Sequence, residues 1–350
     1  LTWREDLITA CLSILVVMGL FLDGWNHINL QANELGAFLT PWHGLLYLGY
    51  TVTALWILSR CLPGLADRPG AASLRALWEA TPNGYRPALV GIGMVSIAAP
   101  GDAIWHTVFG VETGVARVIG VFHLVLFTGM GMMAAAPLLS AWSQKLAFPE
   151  RTSLRRLLPA VMSLALVAAT GAFLIQFTSS FVLWTPSLSL VEPLSDAVES
   201  SPVLIETLRR AAVSQLLLTT AVLMTPVLIA SRRWRLPFGS VTIVFFTVGL
   251  LTAALNELTL EPVLVCTLVG GLVADGAIKA LADLPVWLRI PLLGGITPIA
   301  LWTSFFISLA VIDNVSWPRD LWLGSMMMAA LLSGMLGLLV AKTGQETTAG

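Results

Sequence analysis

Runs of about twenty consecutive apolar residues, repeated along the whole chain, constrain this sequence more than any other feature. Segments of that length and continuity match the hydrocarbon thickness of a bilayer crossed by an α-helix. Ten are present, at residues 7–27, 40–61, 87–107, 117–141, 156–181, 208–230, 238–256, 260–282, 288–311 and 320–341. Alternating ten-residue segments, the mark of a membrane strand barrel, are absent. Composition agrees, with 57% hydrophobic and 11% charged residues among 350, where a soluble domain carries about a quarter charged. A disordered chain, a nucleic-acid-binding protein and a disulfide-built secreted scaffold are thereby excluded. Cys11, Cys61 and Cys266 lie in or beside apolar runs and form no CxxC, so they read as small core residues. The predicted fold is an all-α polytopic helix bundle of about ten spans. It is read as a four-helix half, 1–145, and a six-helix half, 146–350. The first run lacks a small-x-small cleavage site and reads as a retained span rather than a cleavable signal. The chain starts at Leu1, not Met, so a few preceding residues are expected.

The loops alternate in charge. One set, with Arg4 and Lys342, holds 15 of the 19 basic residues, including Arg60, Arg68, Arg75, Arg86, Arg155, Arg156, Arg232, Arg233, Arg235, Lys279 and Arg289. The other set holds Arg117, Arg209, Arg210 and Arg319 among acids such as Glu34, Glu112, Glu192, Glu199 and Asp313. The positive-inside rule then places both termini in the cytoplasm, as an even span count requires. The expected location is a bacterial inner or plasma membrane. The longest outer loop, 182–206, is read as able to hold a short helix on the membrane surface, and the polar tail from Lys342 to Gly350 as disordered.

All four histidines belong to one pattern. Asp23 precedes His27 by four residues, and Asp102 precedes His106 by four, which stacks each pair on one helix face. A second histidine follows each, His43 after 15 intervening residues and His123 after 16, with Glu34 and Glu112 in the intervals. Spans one and two therefore read as an internal repeat of spans three and four, in the same orientation. The predicted topology puts Asp23, His27, His43, Asp102, His106 and His123 near the outer boundary, facing the periplasm or cell exterior. Asp and His are costly at membrane depth and tend to mark function. Imidazole with carboxylate is a ligand set for copper(II), zinc or iron. The metal set expected is those six residues with Glu34 and Glu112. A structural polar network, a proton relay and substrate binding are the other readings of the same residues.

Asp-x3-His at a span end, with a histidine in the next helix, resembles part of the metal site in the C subunit of the copper membrane monooxygenases, where the pattern is Asp-x3-His-x12-His. Asp23, His27, His43 and then Asp102, His106, His123 match it over about 20 residues per copy. The His–His spacing here is longer, the motif is doubled, and the span count is higher. The phrases TPWHGLLYLGY and GDAIWHTVFGVE also resemble a group of uncharacterised multi-pass bacterial membrane proteins, which implies no activity.

The metal-site reading names copper first, then zinc or iron, and implies an oxidoreductase or a metal-binding subunit of a larger membrane complex; whether the chain is itself an enzyme stays open. A b-type cytochrome with four axial histidines, a metal or small-solute transporter, and a non-catalytic scaffold are the alternatives. Haem ranks below a bare metal ion because all four histidines cluster at one face. Lipid is the certain partner of such a chain, other membrane subunits are open, and no nucleic acid is expected. Elsewhere, Gln176, Thr178, Ser179 and Ser180 read as interhelical hydrogen bonding. Asn256, Glu257 and Glu261 read as a solvated turn, and Asp275 with Lys279 as an i, i+4 salt bridge. Met130, Met132, Met133 and Met326–Met328 read as packing, as do the Gly91-x-Gly93 and Gly129-x-Gly131 pairs. Trp25, Trp42, Trp105, Trp184 and Trp317 read as an outer aromatic belt.

Overall fold

A computed structural model describes residues 1–29, 40–66, 73–110, 114–144, 153–184, 186–187 and 202–343. Glu34, Glu112, most of the outer loop 182–206 and the tail beyond 343 lie outside the described residues. Among the described residues the regular structure is helical, with one isolated bridge between Ser187 and Val315. Among the described residues seven helices are long and apolar enough to cross a membrane, eight if one bent pair counts as a single span. The remaining two expected spans are also helices, Pro41–Ala66 of 26 residues and Ser240–Leu255 of 16. The chain divides into two compact units, Leu1–Ala147 with Arg155–Leu174, and Phe148–Leu154 with Ile175–Gly350.

The first unit starts with α1, Trp3–Asn29. Thr2 and Glu5 close its N-terminus as a capping box: Glu5 N donates to Thr2 Oγ1 at 3.3 Å and Thr2 N to Glu5 Oε2 at 2.8 Å. Helix α2, Pro41–Ala66, follows, then the short α3, Leu74–Ala80, and α4, Arg86–Phe109. The segment expected as one span at 117–141 is interrupted. It forms α5, Ala116–Ile119, a break at Gly120, α6, Val121–Ala134, and α7, Ala136–Ser143, with α6 and α7 bent by 45°. Pro137 in the first turn of α7 lacks the amide that would continue the ladder. Helix α8, Leu154–Leu174, ends seven residues short of the expected limit, where Gln176–Thr178 tightens into a 3₁₀ turn.

Close pairing of α1 with α2, and of α4 with α6, sets the frame of the site. A Cβ added at Gly49 would stand 3.0 Å from the Leu15 carbonyl, and one at Gly129 would stand 2.8 Å from Gly91 O and from Val95 Cγ2. The packing reading thus holds for Gly91, for Gly129 and, against Thr170 of α8, for Gly131; Gly93 faces open space. In addition α1 touches α6, and α2 touches α4. At the opposite end of α1, a buried polar knot ties four elements. The Tyr85 hydroxyl lies 2.9 Å from Asp6 Oδ1 and from Thr9 Oγ1, Ser140 Oγ donates to Asp6 Oδ2 at 3.0 Å, and Trp56 Nε1 donates to Thr9 Oγ1 at 2.9 Å.

In the second unit, α9 is Pro202–Arg233, α10 Ser240–Leu255, α11 Glu261–Ala280, α12 Val286–Ile312 and α13 Arg319–Lys342. The expected Asp275–Lys279 bridge is replaced by a cap. Asp275 is buried and accepts from Val241 N and Thr242 N, each at 3.0 Å, and from Thr242 Oγ1 at 2.7 Å. Two orphan amides at the start of α10 lie closer to this carboxylate than any solvated ammonium, and they take its charge. Thr219 of α9 receives the Ser180 amide at 3.0 Å, in line with the interhelical reading of that polar stretch. Glu257 is an exposed turn acid, and Glu261 is the exposed first residue of α11. Trp317 is buried against Phe306 instead of lying in an interfacial belt.

Candidate metal centre

Two helix ends and two helix starts supply the site. Asp23 and His27 occupy the last turns of α1, one above the other, and His43 is the third residue of α2. Asp102 and His106 hold the same place near the end of α4. His123 was expected about two turns into its span; the break at Gly120 makes it the third residue of α6, matching His43. Thr40 sets the first turn of α2, accepting from the His43 amide at 3.2 Å and lying 3.0 Å from His43 Nδ1.

The six side chains form two triads. In the first, Asp23 Oδ2 is 3.6 Å from His27 Nε2, and Asp23 Oδ1 is 3.4 Å from His43 Nδ1. In the second, Asp102 Oδ2 is 3.3 Å from His106 Nε2 and 3.5 Å from His123 Nε2. The ligand atoms of each triad lie within 4.8 Å of one another. Both carboxylates are buried, while the imidazoles are partly open. The triads are neighbours within one unit: the charges of Asp102 and His123 act on Asp23, and those of Asp102, His123 and His106 act on His43. Glu34 and Glu112 lie outside the described residues and so add nothing to this geometry.

Donor chemistry can be tested against these distances. His106 Nδ1 meets the Gly110 carbonyl at 3.4 Å. A carbonyl only accepts, so the contact places a proton on Nδ1, and in the neutral imidazole the Nε2 lone pair is then the one that faces Asp102. A lone pair facing a carboxylate oxygen is satisfied by a cation between them, a proton or a metal ion. Two donors about 2.0–2.2 Å from a tetrahedral ion stand about 3.3 Å apart. The four carboxylate–imidazole separations of 3.3–3.6 Å fit that spacing. Both triads can hold a metal ion.

Aromatic rings wall the imidazoles in a matched way that the histidine pattern alone did not reveal. Tyr47 stacks on His43 at 6.2 Å and 23°, and Phe127 on His123 at 5.8 Å and 5°. Trp25 meets Trp42 edge-on at 5.6 Å, and Trp105 meets Phe122 at 6.0 Å. The signal was in the sequence as His-x3-Tyr/Phe-x-Gly, present at His43-Tyr47-Gly49 and at His123-Phe127-Gly129.

Comparison of the chain with protein-family models, with curated proteins and with solved structures finds no match. The fold and site together describe a helical chain of membrane-span character carrying two neighbouring Asp-His-His groups able to bind metal.

Proposed function

We propose that this protein is an integral membrane metalloprotein in which Asp23, His27 and His43 bind one transition-metal ion and Asp102, His106 and His123 bind a second. The observation that carries this reading is the convergence, in each triad, of one buried carboxylate and two imidazoles at ligand spacing. Copper is the first choice, with zinc and iron next, because mixed imidazole and carboxylate donors suit all three and the motif resembles that of the copper monooxygenase C subunit. Three protein donors leave a coordination position open, which suits a reactive or metal-relaying site more than a closed structural one. Glu34 and Glu112 are placed by the sequence between the ligands of each copy, and the proposal keeps them as further donors or as guards of the approach.

The doubled pattern is read as a parallel internal repeat. Its support is the matched placement of His43 with His123, Tyr47 with Phe127 and Gly49 with Gly129. Ten spans, cytoplasmic termini and an outward-facing site belong to the same proposal, on the strength of the basic-residue asymmetry. A haem between either histidine pair would have to displace the carboxylate that contacts both rings, so the bare-ion reading is preferred to the cytochrome.

The test is elemental analysis of protein purified without chelator from cells replete in copper, zinc and iron. The expected result is up to two transition-metal ions per chain and no Soret band. Protein that is metal-free and binds none of the three on titration would end the proposal, and a Soret band would replace it with the cytochrome.

A further inference from the structure

A second polar feature lies within the second unit, at the ends of four of its helices. A cleft of about 670 Å³ opens where α9 ends, α10 begins, α11 ends and α12 begins. Three cations line it: Arg235 and Lys279, both exposed, and Arg289, which is 9% exposed. Among the described residues the Arg289 amide donates to Pro285 O at 2.9 Å, whereas its guanidinium makes no hydrogen bond and has no carboxylate at salt-bridge distance. Arg235 stands near enough to repel it electrostatically. Two acids share the cleft. Asp275 is fully engaged by the amides of Val241 and Thr242 and the Thr242 hydroxyl, and Asp283 is exposed.

A guanidinium withdrawn from water without a counter-charge is strongly unfavourable, and a second guanidinium beside it makes matters worse. An anion between them would relieve both. Guanidinium presents a planar fork of donors that matches phosphate oxygens, and Lys279 adds a point charge. The wall is apolar where Leu236, Phe238 and Leu293 line it, which suits the glycerol and first acyl carbons of a lipid as well as it suits none of the bulk water. The charge asymmetry of the loops puts Arg235, Lys279 and Arg289 on the cytoplasmic side, where anionic headgroups are met by basic residues between helices.

We propose that this cleft binds a phosphate group, carried by an anionic lipid headgroup or free in solution, through Arg289 at its floor and Arg235 and Lys279 at its mouth. The proposal is independent of the metal site.

The experiment uses the full chain, delipidated in an uncharged detergent. It is titrated with short-chain phosphatidylglycerol, with phosphatidylcholine of the same chains, and with inorganic phosphate, and bound ligand is counted by native mass spectrometry. Each basic residue near a headgroup contributes roughly fivefold in affinity. Phosphatidylglycerol is therefore expected to bind more than about tenfold tighter than phosphatidylcholine. Arg289→Gln should abolish the preference. Arg235→Gln with Lys279→Gln, at exposed positions that leave folding intact, should reduce it strongly. Competition by inorganic phosphate assigns the site to free phosphate chemistry, whereas phosphatidylglycerol binding that phosphate does not disturb assigns it to lipid. Equal binding of the two lipids in the absence of phosphate binding, or a preference unchanged in the double variant, overturns the proposal.

Discussion

A carboxylate oxygen placed 3.3 Å from one imidazole nitrogen and 3.5 Å from another, as at Asp102, is a ligand geometry before it is a hydrogen-bond geometry. On that basis the proposed function makes Asp23 and Asp102 direct ligands. Asp23→Asn and Asp102→Asn should then empty their own triads as completely as His27→Ala and His106→Ala do. A loss of only about 10–100-fold in affinity would instead make the aspartates orienting residues. Since each triad is its own donor set, His27→Ala should leave about half the metal of the parent and the His27→Ala, His106→Ala pair none, measured by elemental analysis of folded protein. Loss of all metal from a single variant would show one shared ion rather than two. Protons compete for the same nitrogens, so acidification should release the metal and realkalinisation should restore its uptake.

At the level of elements, the triads depend on how closely α1 meets α2 and α4 meets α6. Gly49 and Gly129 permit that approach. Gly129→Leu should force the α4–α6 pair apart, cost about 1–3 kcal/mol and weaken metal binding at the second triad, read by thermal unfolding in detergent together with metal content. Substitution at Gly93, which faces open space, should change neither. Asp275→Ala leaves the Val241 and Thr242 amides unmet at the start of α10, for a loss of about 1–3 kcal/mol without effect on metal. Much of this was legible beforehand. Helical periodicity alone aligns Asp23 with His27 and Asp102 with His106, and a short connection brings the next helix start alongside. The break at Gly120 was hidden because that glycine lies between Val118-Ile119 and Val121-Phe122, and a lone glycine among apolar residues reads as a helix-packing position. The partner of Asp275 was hidden for a different reason. Lys279 is its neighbour in sequence, whereas Val241 and Thr242 are its neighbours only after α10 packs on α11. Asp6 went unremarked as a buried residue because its partners, Tyr85 and Ser140, are distant in sequence. Arg289 sat unnoticed within a count of basic residues.

For the whole molecule, the proposed topology makes a prediction of its own. Single cysteines introduced near Glu34 and Glu199 should react with an impermeant reagent added to intact cells, and those near Arg68 and Arg233 should not. The reverse pattern would put the metal triads on the cytoplasmic side. The ten expected spans also differ in reach. At 16 residues, α10 extends about 24 Å, against a hydrocarbon core about 30 Å thick. Its first amides are met from within the protein by Asp275, so the helix can begin beneath the level of the headgroups without baring its backbone to lipid. With α10 as one of the proposed spans, the cost falls on the membrane, which would thin by a few Å where it borders this helix. Nanodiscs built from 14-carbon lipids should therefore raise the unfolding temperature relative to 20-carbon lipids, and the opposite order would mean that neighbouring helices shield α10 from lipid. A protein that deformed thick bilayers and rested easily in thin ones would carry, in a single short helix, a preference for where in a cell's membranes it settles.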